Sequence, residues 1–438
     1  MGTLTTTPQP SRIASAFRAL RHRNFQVFFG GQLISLIGTW MQNVAQSWLV
    51  YKLTGSSLLL GAVGFSSQIP IFLLSPVGGA VVDRRNRHRI IVATQTASMV
   101  LAFILAGITL LGVVKVWHIF VLSALLGFVN AFDIPARQAF IVEMVGKEDL
   151  MNAIALNSSM FNGARIVGPA VAGVLVASVG EGWCFFGNAV SYIAVLIGLF
   201  MMRVPAWTPR PRGTSALSDI KEGFSWVANT KPISALLLLV GLVSLVGMPY
   251  AVLMPIFADQ ILHSGARGLG ILMGFSGAGA LIGALTLAAK SGLRGLGTWV
   301  AASSASFGLF LILFAYSRIF WVSAALLIPV GLFMMVQMAA TNTLIQSMVP
   351  DRLRGRLMSL YSMMMMGMAP LGALLAGALS DRMGAPLTVA LGGMCSILGA
   401  IWFGNRLPVI RGEARRLIIA QSYAGGDPPQ EATTVPES

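Results

Sequence analysis

The chain reads as an all-α polytopic membrane protein, with twelve transmembrane helices in two pseudo-symmetric six-helix bundles. Three observations predict this fold class. Of 438 residues, 55% are hydrophobic and only 10% charged, whereas ordinary globular domains are about a quarter charged. Apolar runs long enough to cross about 30 Å of hydrocarbon at about 1.5 Å per residue lie at 24–50, 58–82, 90–112, 116–142, 150–179 and 183–202, and again at 233–258, 268–289, 296–316, 319–349, 356–380 and 385–405. The second set repeats the first at a shift of 204 residues: Gly61, Gly64, Gly79, Gly127, Gly163, Gly168, Gly173 and Gly180 recur as Gly265, Gly268, Gly283, Gly331, Gly367, Gly372, Gly377 and Gly384. Two similar halves around one axis are how many secondary transporters build a site that faces either side of a membrane.

In chain order, residues 1–23 form a cytoplasmic segment without the apolar core and small-residue cleavage site of a secretory signal, so the first span is its own address. The first bundle covers 24–202. A cytoplasmic linker, 203–232, carries Pro205, Trp207, Pro209, Pro211 and Gly213, and its amphipathic stretch from Leu217 to Val227 suits the inner membrane surface. The second bundle covers 233–405, and the cytoplasmic tail, 406–438, is expected to be mostly disordered, with Gly425, Gly426, Pro428 and Pro429 in its last part. Prolines within spans (Pro70, Pro76, Pro169, Pro249, Pro255, Pro329, Pro370) are expected to bend helices rather than end them, because neighbours re-satisfy the freed carbonyls.

A net charge of +15 would point to nucleic acid in a soluble protein, but its distribution is topological. With both termini inside, the 30 Lys and Arg divide into 23 inside, 5 outside (Lys52, Lys115, Arg267, Arg318, Arg382) and 2 within spans (Arg137, Arg165). Basic residues are retained on the cytoplasmic side. This makes the chain a multi-pass membrane protein with both termini on the cytoplasmic side. Cys184 and Cys395 both fall in predicted spans, and neither a disulfide framework nor a metal-ligand spacing exists. No nucleophile, base and orienter recur in one segment, so catalytic residues, a metal and a cofactor are not expected.

After the second span comes Gly78-Gly79-Ala80-Val81-Val82-Asp83-Arg84-Arg85-Asn86-Arg87-His88-Arg89. It resembles the signature loop of the major facilitator superfamily, a glycine followed four residues later by aspartate, then a tight turn and a basic cluster. Gly79 is expected to permit close helix contact, and Asn86 to take the left-handed turn where the family prefers glycine. The resemblance implies a cytoplasmic gate of Gly79, Asp83, Arg84 and Arg87, with Asp83 reaching the start of the eleventh helix beside Arg354 and Arg356. The second half keeps Gly283 but has Leu287 in place of the aspartate. In the fifth span, Gly163, Gly168, Pro169 and Gly173 resemble the glycine-proline pattern of the superfamily's exporters, where small residues let helix backbones approach. Gly38-Thr39-Trp40, Trp48 to Ser56, Asp133 to Phe140 and Arg165 to Pro169 narrow the resemblance to the bacterial, enterobactin-exporter-like branch labelled transmembrane secretion effector, over roughly 15–408. It implies efflux across the bacterial inner membrane, as an antiporter; the protein is expected to function as a monomer.

The first span carries Gln32, Ser35, Thr39, Gln42 and Gln46 at steps of three and four, with Asn43 beside them. A polar stripe on a membrane helix faces protein or water rather than lipid, so these residues are candidates either for helix-to-helix hydrogen bonding or for the substrate cavity. Asn162, Gln337, Thr341, Asn342 and Met364 join them as cavity candidates, Met364 within a run of thioethers able to repack around varied apolar shapes. A charge near the bilayer centre costs on the order of 3 kcal/mol on insertion scales, so Arg165 needs a partner; Asp133 or a substrate anion are candidates, while Arg137 is placed to snorkel. For proton coupling the candidates are Asp133, Glu143, Arg137 and Arg165, with a static Asp133 to Arg137 pair as the competing reading.

The expected function is secondary active transport: a proton-coupled exporter of an amphipathic small molecule, siderophore-like or a drug, working by alternating access in a lipid bilayer. An uptake carrier or lysolipid flippase of the same fold, or a non-transporting scaffold or sensor, are the alternatives.

Overall fold

Two of the membrane helices start on side-chain caps, Ser56 accepting the Leu59 amide and Asn86 the Arg89 amide, and glycines in the left-handed region, such as Gly55 and Gly295, turn the chain between helices. The computed structural model describes residues 17–146, 148–203, 225–290 and 292–424; most of the 203–232 linker, including Leu217, and residues 425–438 lie outside the described residues. The first bundle comprises α1 (Arg23–Thr54), α2 (Ser57–Arg84), α3 (Arg87–Leu110), α4 (Val116–Val145), α5 (Leu150–Ser178) and α6 (Glu181–Met201). The second comprises α7 (Lys231–Ile261), α8 (Gly265–Ala289), α9 (Leu296–Tyr316), α10 (Phe320–Met348), α11 (Asp351–Ser362 continued by Met368–Met383) and α12 (Ala385–Ala424). Among the described residues, eleven helices are long and apolar enough to span a membrane. The twelfth, α1, has the length at 32 residues; its Gln32, Ser35, Thr39, Gln42, Asn43 and Gln46 dilute its hydropathy.

The packing repeats as the sequence does. In the first bundle α1 lies against α5 and α6, α2 against α4, and α3 against α4 and α6; in the second α7 lies against α11 and α12, α8 against α10, and α9 against α10 and α12. Several of the repeated glycines sit where these helices cross. A Cβ at Gly127 would meet the Ser67 carbonyl oxygen of α2, and one at Gly331 the Ser276 carbonyl oxygen of α8. Gly168 lies against Trp40 and Ile37 of α1, and Gly372 against Leu245 and Pro249 of α7. Gly180 and Gly384 end α5 and α11 at φ of 93° and 86°, a region that strains any residue with a Cβ.

Two expectations fail on the glycines. Gly79 and Gly163 have open space where a side chain would go; the contact in the signature loop is made by its neighbour Gly78, against the Ala131 carbonyl of α4. Asn86 is extended, at φ −65° and ψ 112°, because its side chain accepts the Arg89 amide at 3.1 Å and starts α3 as an N-cap. The last helix also continues to Ala424 rather than giving way to irregular chain after 405. Leu407 and Ile410 are buried, and Ala414, Leu417 and Ile418 continue the same apolar stripe, so burial of one face extends the helix past its membrane span.

The turn at 84–87 and the arginines Arg406 and Arg411 mark one end of the bundle, here the basic face; the turns at Gly55, Gly180 and Gly384 mark the opposite face. At the basic face Asp149 accepts hydrogen bonds from His22 at 2.7 Å and from Arg18, which hold its carboxyl below the usual carboxylate range, His22 most. If the basic face is cytoplasmic, a cysteine in the 203–232 linker should escape an impermeant thiol reagent in intact cells, and one beside Lys115 or Arg318 should react. The reverse pattern inverts the topology.

Candidate functional site

The halves are joined toward the opposite face. A Cβ at Gly173 of α5 would lie 3.0 Å from the Gly270 Cα of α8, and one at Gly377 of α11 would lie 2.5 Å from the Ser57 carbonyl oxygen of α2. These two repeat-related glycines mark crossings between the halves, as does Gly61 of α2, whose Cβ would meet the Ala373 carbonyl oxygen of α11. Beside the second, Asp381 of α11 accepts the Ser57 amide at 2.8 Å and the Leu58 amide at 3.3 Å, so one half places a carboxylate on the N-terminus of a helix in the other. Tyr51 of α1 donates to Asp259 of α7 at 2.8 Å, and Lys52 pairs with Glu181 at 3.2 Å. On α11, α2 packs mainly along Met363–Met383, not along Asp351–Ser362 at the basic face.

Midway along the helices a second group of residues meets. The Arg165 guanidinium of α5 lies over the Trp40 ring of α1, 5.7 Å from its centroid, and Trp40 meets Phe161 edge to face at 5.6 Å. The close fit of Gly168 against Trp40 holds α1 and α5 together here, and Gly277 of α8 passes with its Cβ position 2.9 Å from the Arg165 carbonyl oxygen. Tyr250 of α7 lies within electrostatic reach of Arg165 and is bonded to Ser276 at 2.8 Å. Asn43, one turn from Trp40, is exposed and makes no hydrogen bond among the described residues. Exposed polar groups at this depth face a cavity rather than lipid.

The second half is distorted at the equivalent places. α7 contains π-helical turns at Val243–Gly247 and Phe257–Ile261, and α11 one at Met363–Gly367. Moved back by 204, the segments 243–247 and 363–367 fall on 39–43 and 159–163, the stretches that carry Trp40, Asn43 and Phe161. Such bulges concentrate at functional sites.

Most of the polar stripe of α1 turns away from this centre. Gln32, Ser35 and Gln42 are buried; Thr39 donates to the Ser35 carbonyl at 2.9 Å, Gln42 accepts from Asn188 at 2.7 Å, and Gln46 donates to Ser123 at 3.0 Å. Helix-to-helix bonding accounts for Gln42 and Gln46, and only Asn43 is open. Asn162 is buried and bonded to the Ser158 carbonyl, Gln337 and Thr341 are buried with unpaired side-chain polar atoms, and Asn342 bonds Gln346 on α10. Met364 packs with its sulfur 3.2 Å from the Cβ position of Gly241.

The acids separate from Arg165. Asp133, 2% exposed, pairs with Arg137 at 2.6 Å and accepts from Thr94 at 2.7 Å and Gln95 at 3.0 Å. Of the two candidate partners for Arg165, Asp133 is not the one: Arg137, one turn along the same helix, takes the carboxylate, which is the competing pair the sequence offered. Arg137 is bound rather than snorkelling. Glu143 accepts from Arg87 at 2.6 Å, tying α4 to the start of α3 within one half. Arg84 is exposed at the end of α2. The side chain of Asp83 lies outside the described residues, and Arg354 and Arg356 sit in the first turns of α11. Sequence reasoning missed Trp40, Phe161 and Tyr250 as companions of Arg165; the spacing of Phe161 and Arg165, one helical turn, was the available signal for one of them.

The family model described as transmembrane secretion effector matches residues 14–428. The staphyloferrin A transporter of Staphylococcus aureus is 26% identical over 373 residues, 84% of this chain and 93% of that one; the enterobactin exporter EntS of Salmonella choleraesuis is 26% identical over 396 residues, 90% and 94%. Among solved structures, the nucleoside transporter NupG superposes with a TM-score of 0.68 at 16% identity, covering 88% of this chain and 98% of its own. A bacterial homologue of the human lysosomal transporter Spinster, solved inward-facing and unoccupied, reaches 0.64 at 14% identity, covering 94% and 99%. These likenesses carry the fold alone. A match across nearly the whole sequence and a duplicated twelve-helix architecture lead to one conclusion: the chain is a secondary transporter of the major facilitator superfamily and belongs to the transmembrane secretion effector family.

Proposed function

We propose that this protein exports an amphipathic small molecule, siderophore-like in class, from the cytoplasm by alternating access, and that protons moving inward drive it. The single observation that supports this most is the asymmetry of the contacts between halves. Gly173 with Gly270, Gly377 with Ser57, and Tyr51 with Asp259 tie the halves toward one face, while the site around Arg165, Trp40 and Asn43 lies between them. With the basic face inside, this is the state that loads a substrate for export. The relatives named for staphyloferrin A and enterobactin support the substrate class. Asp133 is the proton carrier in this reading. Arg137, Thr94 and Gln95 hold it between α3 and α4, so movement of α4 against α3 changes the groups that engage it and links it to the side that is open. Asp83 with Arg84, Arg354 and Arg356 closes the basic face in the opposite state. The site lies within one chain, so a monomer in the inner membrane, both ends cytoplasmic, suffices.

Inverted membrane vesicles bearing the protein test the reading. A labelled siderophore panel should accumulate when the vesicle interior is made acidic and should leak out when a protonophore is added. Accumulation unchanged by the protonophore overturns proton coupling. Accumulation only in right-side-out vesicles makes the protein an importer.

A further inference from the structure

We propose that Arg165 and Trp40 form a recognition site for an organic oxyanion carrying a flat ring, so that the substrate crosses as an anion; this rests on the transport reading above. The charges carry the argument. Among the described residues every acid at or within the spans is engaged away from Arg165: Asp133 by Arg137, Glu143 by Arg87, Glu181 by Lys52, Asp259 by Tyr51 and Asp381 by the start of α2. Arg165 is largely buried but keeps part of its surface open, so an incoming molecule can reach it. Its Cζ lies over the Trp40 ring, its N–H groups make no hydrogen bond or ion pair among the described residues, and a guanidinium fork suits two oxygens of a carboxylate, sulfonate or catecholate. Trp40 and Phe161 offer rings beside that charge, and Asn43 an unpaired amide one turn away. A cationic substrate would meet the same charge with no carboxylate to offset it. The site selects by repulsion as well as by attraction.

The test uses the full chain in lipid nanodiscs and equilibrium dialysis of labelled 2-naphthalenesulfonate, with empty nanodiscs as the blank. Saturable binding is expected, displaced by 2-naphthoate and not by 2-naphthylmethylammonium. Arg165→Gln should weaken it at least about tenfold, a difference of about 1.4 kcal/mol. Arg165→Lys, which keeps the charge and loses the fork, should fall between. Trp40→Leu should weaken the naphthalene probe and spare an aliphatic sulfonate, a distinction that a general loss of folding would not produce. Equal binding by wild type and Arg165→Gln, or equal displacement by the ammonium, overturns the site. The site and the export reading fail separately: Arg165-dependent binding without transport in vesicles sinks export alone, and proton-driven transport of cations without anion binding sinks the site alone.

Discussion

Asp133→Asn is expected to abolish uphill efflux while leaving downhill exchange of the same substrate near the wild-type rate. Asp133 is buried and receives Arg137, Thr94 and Gln95 from two helices, so a proton on this carboxyl changes the contacts between α3 and α4 as well as the local charge. Asn keeps the shape and removes the carboxylate. A proton carrier then loses the link between gradient and substrate, and concentrative transport should fall by more than tenfold. If Asp133 is instead a brace for Arg137, a different pattern follows. Removing one partner of a buried pair costs about 3–5 kcal/mol, whereas removing both is far milder. Asp133→Asn combined with Arg137→Gln should then recover both thermal stability and pumping. Recovery of pumping in the double variant assigns the pair to structure and moves the coupling site elsewhere.

Leucine at Gly173 or Gly377 should give the second large effect. Both glycines lie at crossings between the halves, with backbone atoms of α8 or α2 in the space a Cβ needs. Packing within each half does not depend on them, so the bundles should fold and insert. Overpacking costs about 1–3 kcal/mol, and at about 1.4 kcal/mol per tenfold the state closed at the opposite face should lose roughly tenfold to a hundredfold in population. Transport falls, and a cysteine at Asn43 becomes reactive to an impermeant reagent from outside. Gly163→Leu, with open space at its Cβ position, is the matched control and should transport normally. Equal loss at Gly163 would show that helix insertion, rather than the crossing, is what these residues govern.

The architecture was largely legible in the sequence because a bilayer leaves the chain few choices. Backbone groups must be satisfied within each span, so length and hydropathy reveal the helices, and the 204-residue shift reveals the duplication. Which glycine touches which helix was not legible. Gly78 and Gly79 are adjacent and chemically identical, and only the rotation of α2 about its axis decides that Gly78 meets Ala131. At the site, the Asp133 to Arg137 pair follows from a four-residue spacing on one helix. Arg87 with Glu143 and Arg165 with Trp40 depend on helices brought together by tertiary packing, and no local pattern encodes them. The polar stripe on α1 left two readings open for a related reason. A polar face away from lipid serves equally for bonding α6 and α4, as Gln42 and Gln46 do, and for lining a cavity, as Asn43 does.

The central claim is that two rigid halves close one face as they open the other around Arg165. Spin labels placed across the opposite face, at Leu58 and Met383, and across the basic face, at Met151 and Thr343, measure it directly by paired electron resonance in nanodiscs. All four positions are exposed or loosely packed ends of helices in different halves. The account predicts reciprocal distance changes when pH or the naphthalenesulfonate probe shifts the equilibrium, one pair lengthening as the other shortens. Two pairs that hold a single fixed distance under every condition, or that lengthen together, contradict it.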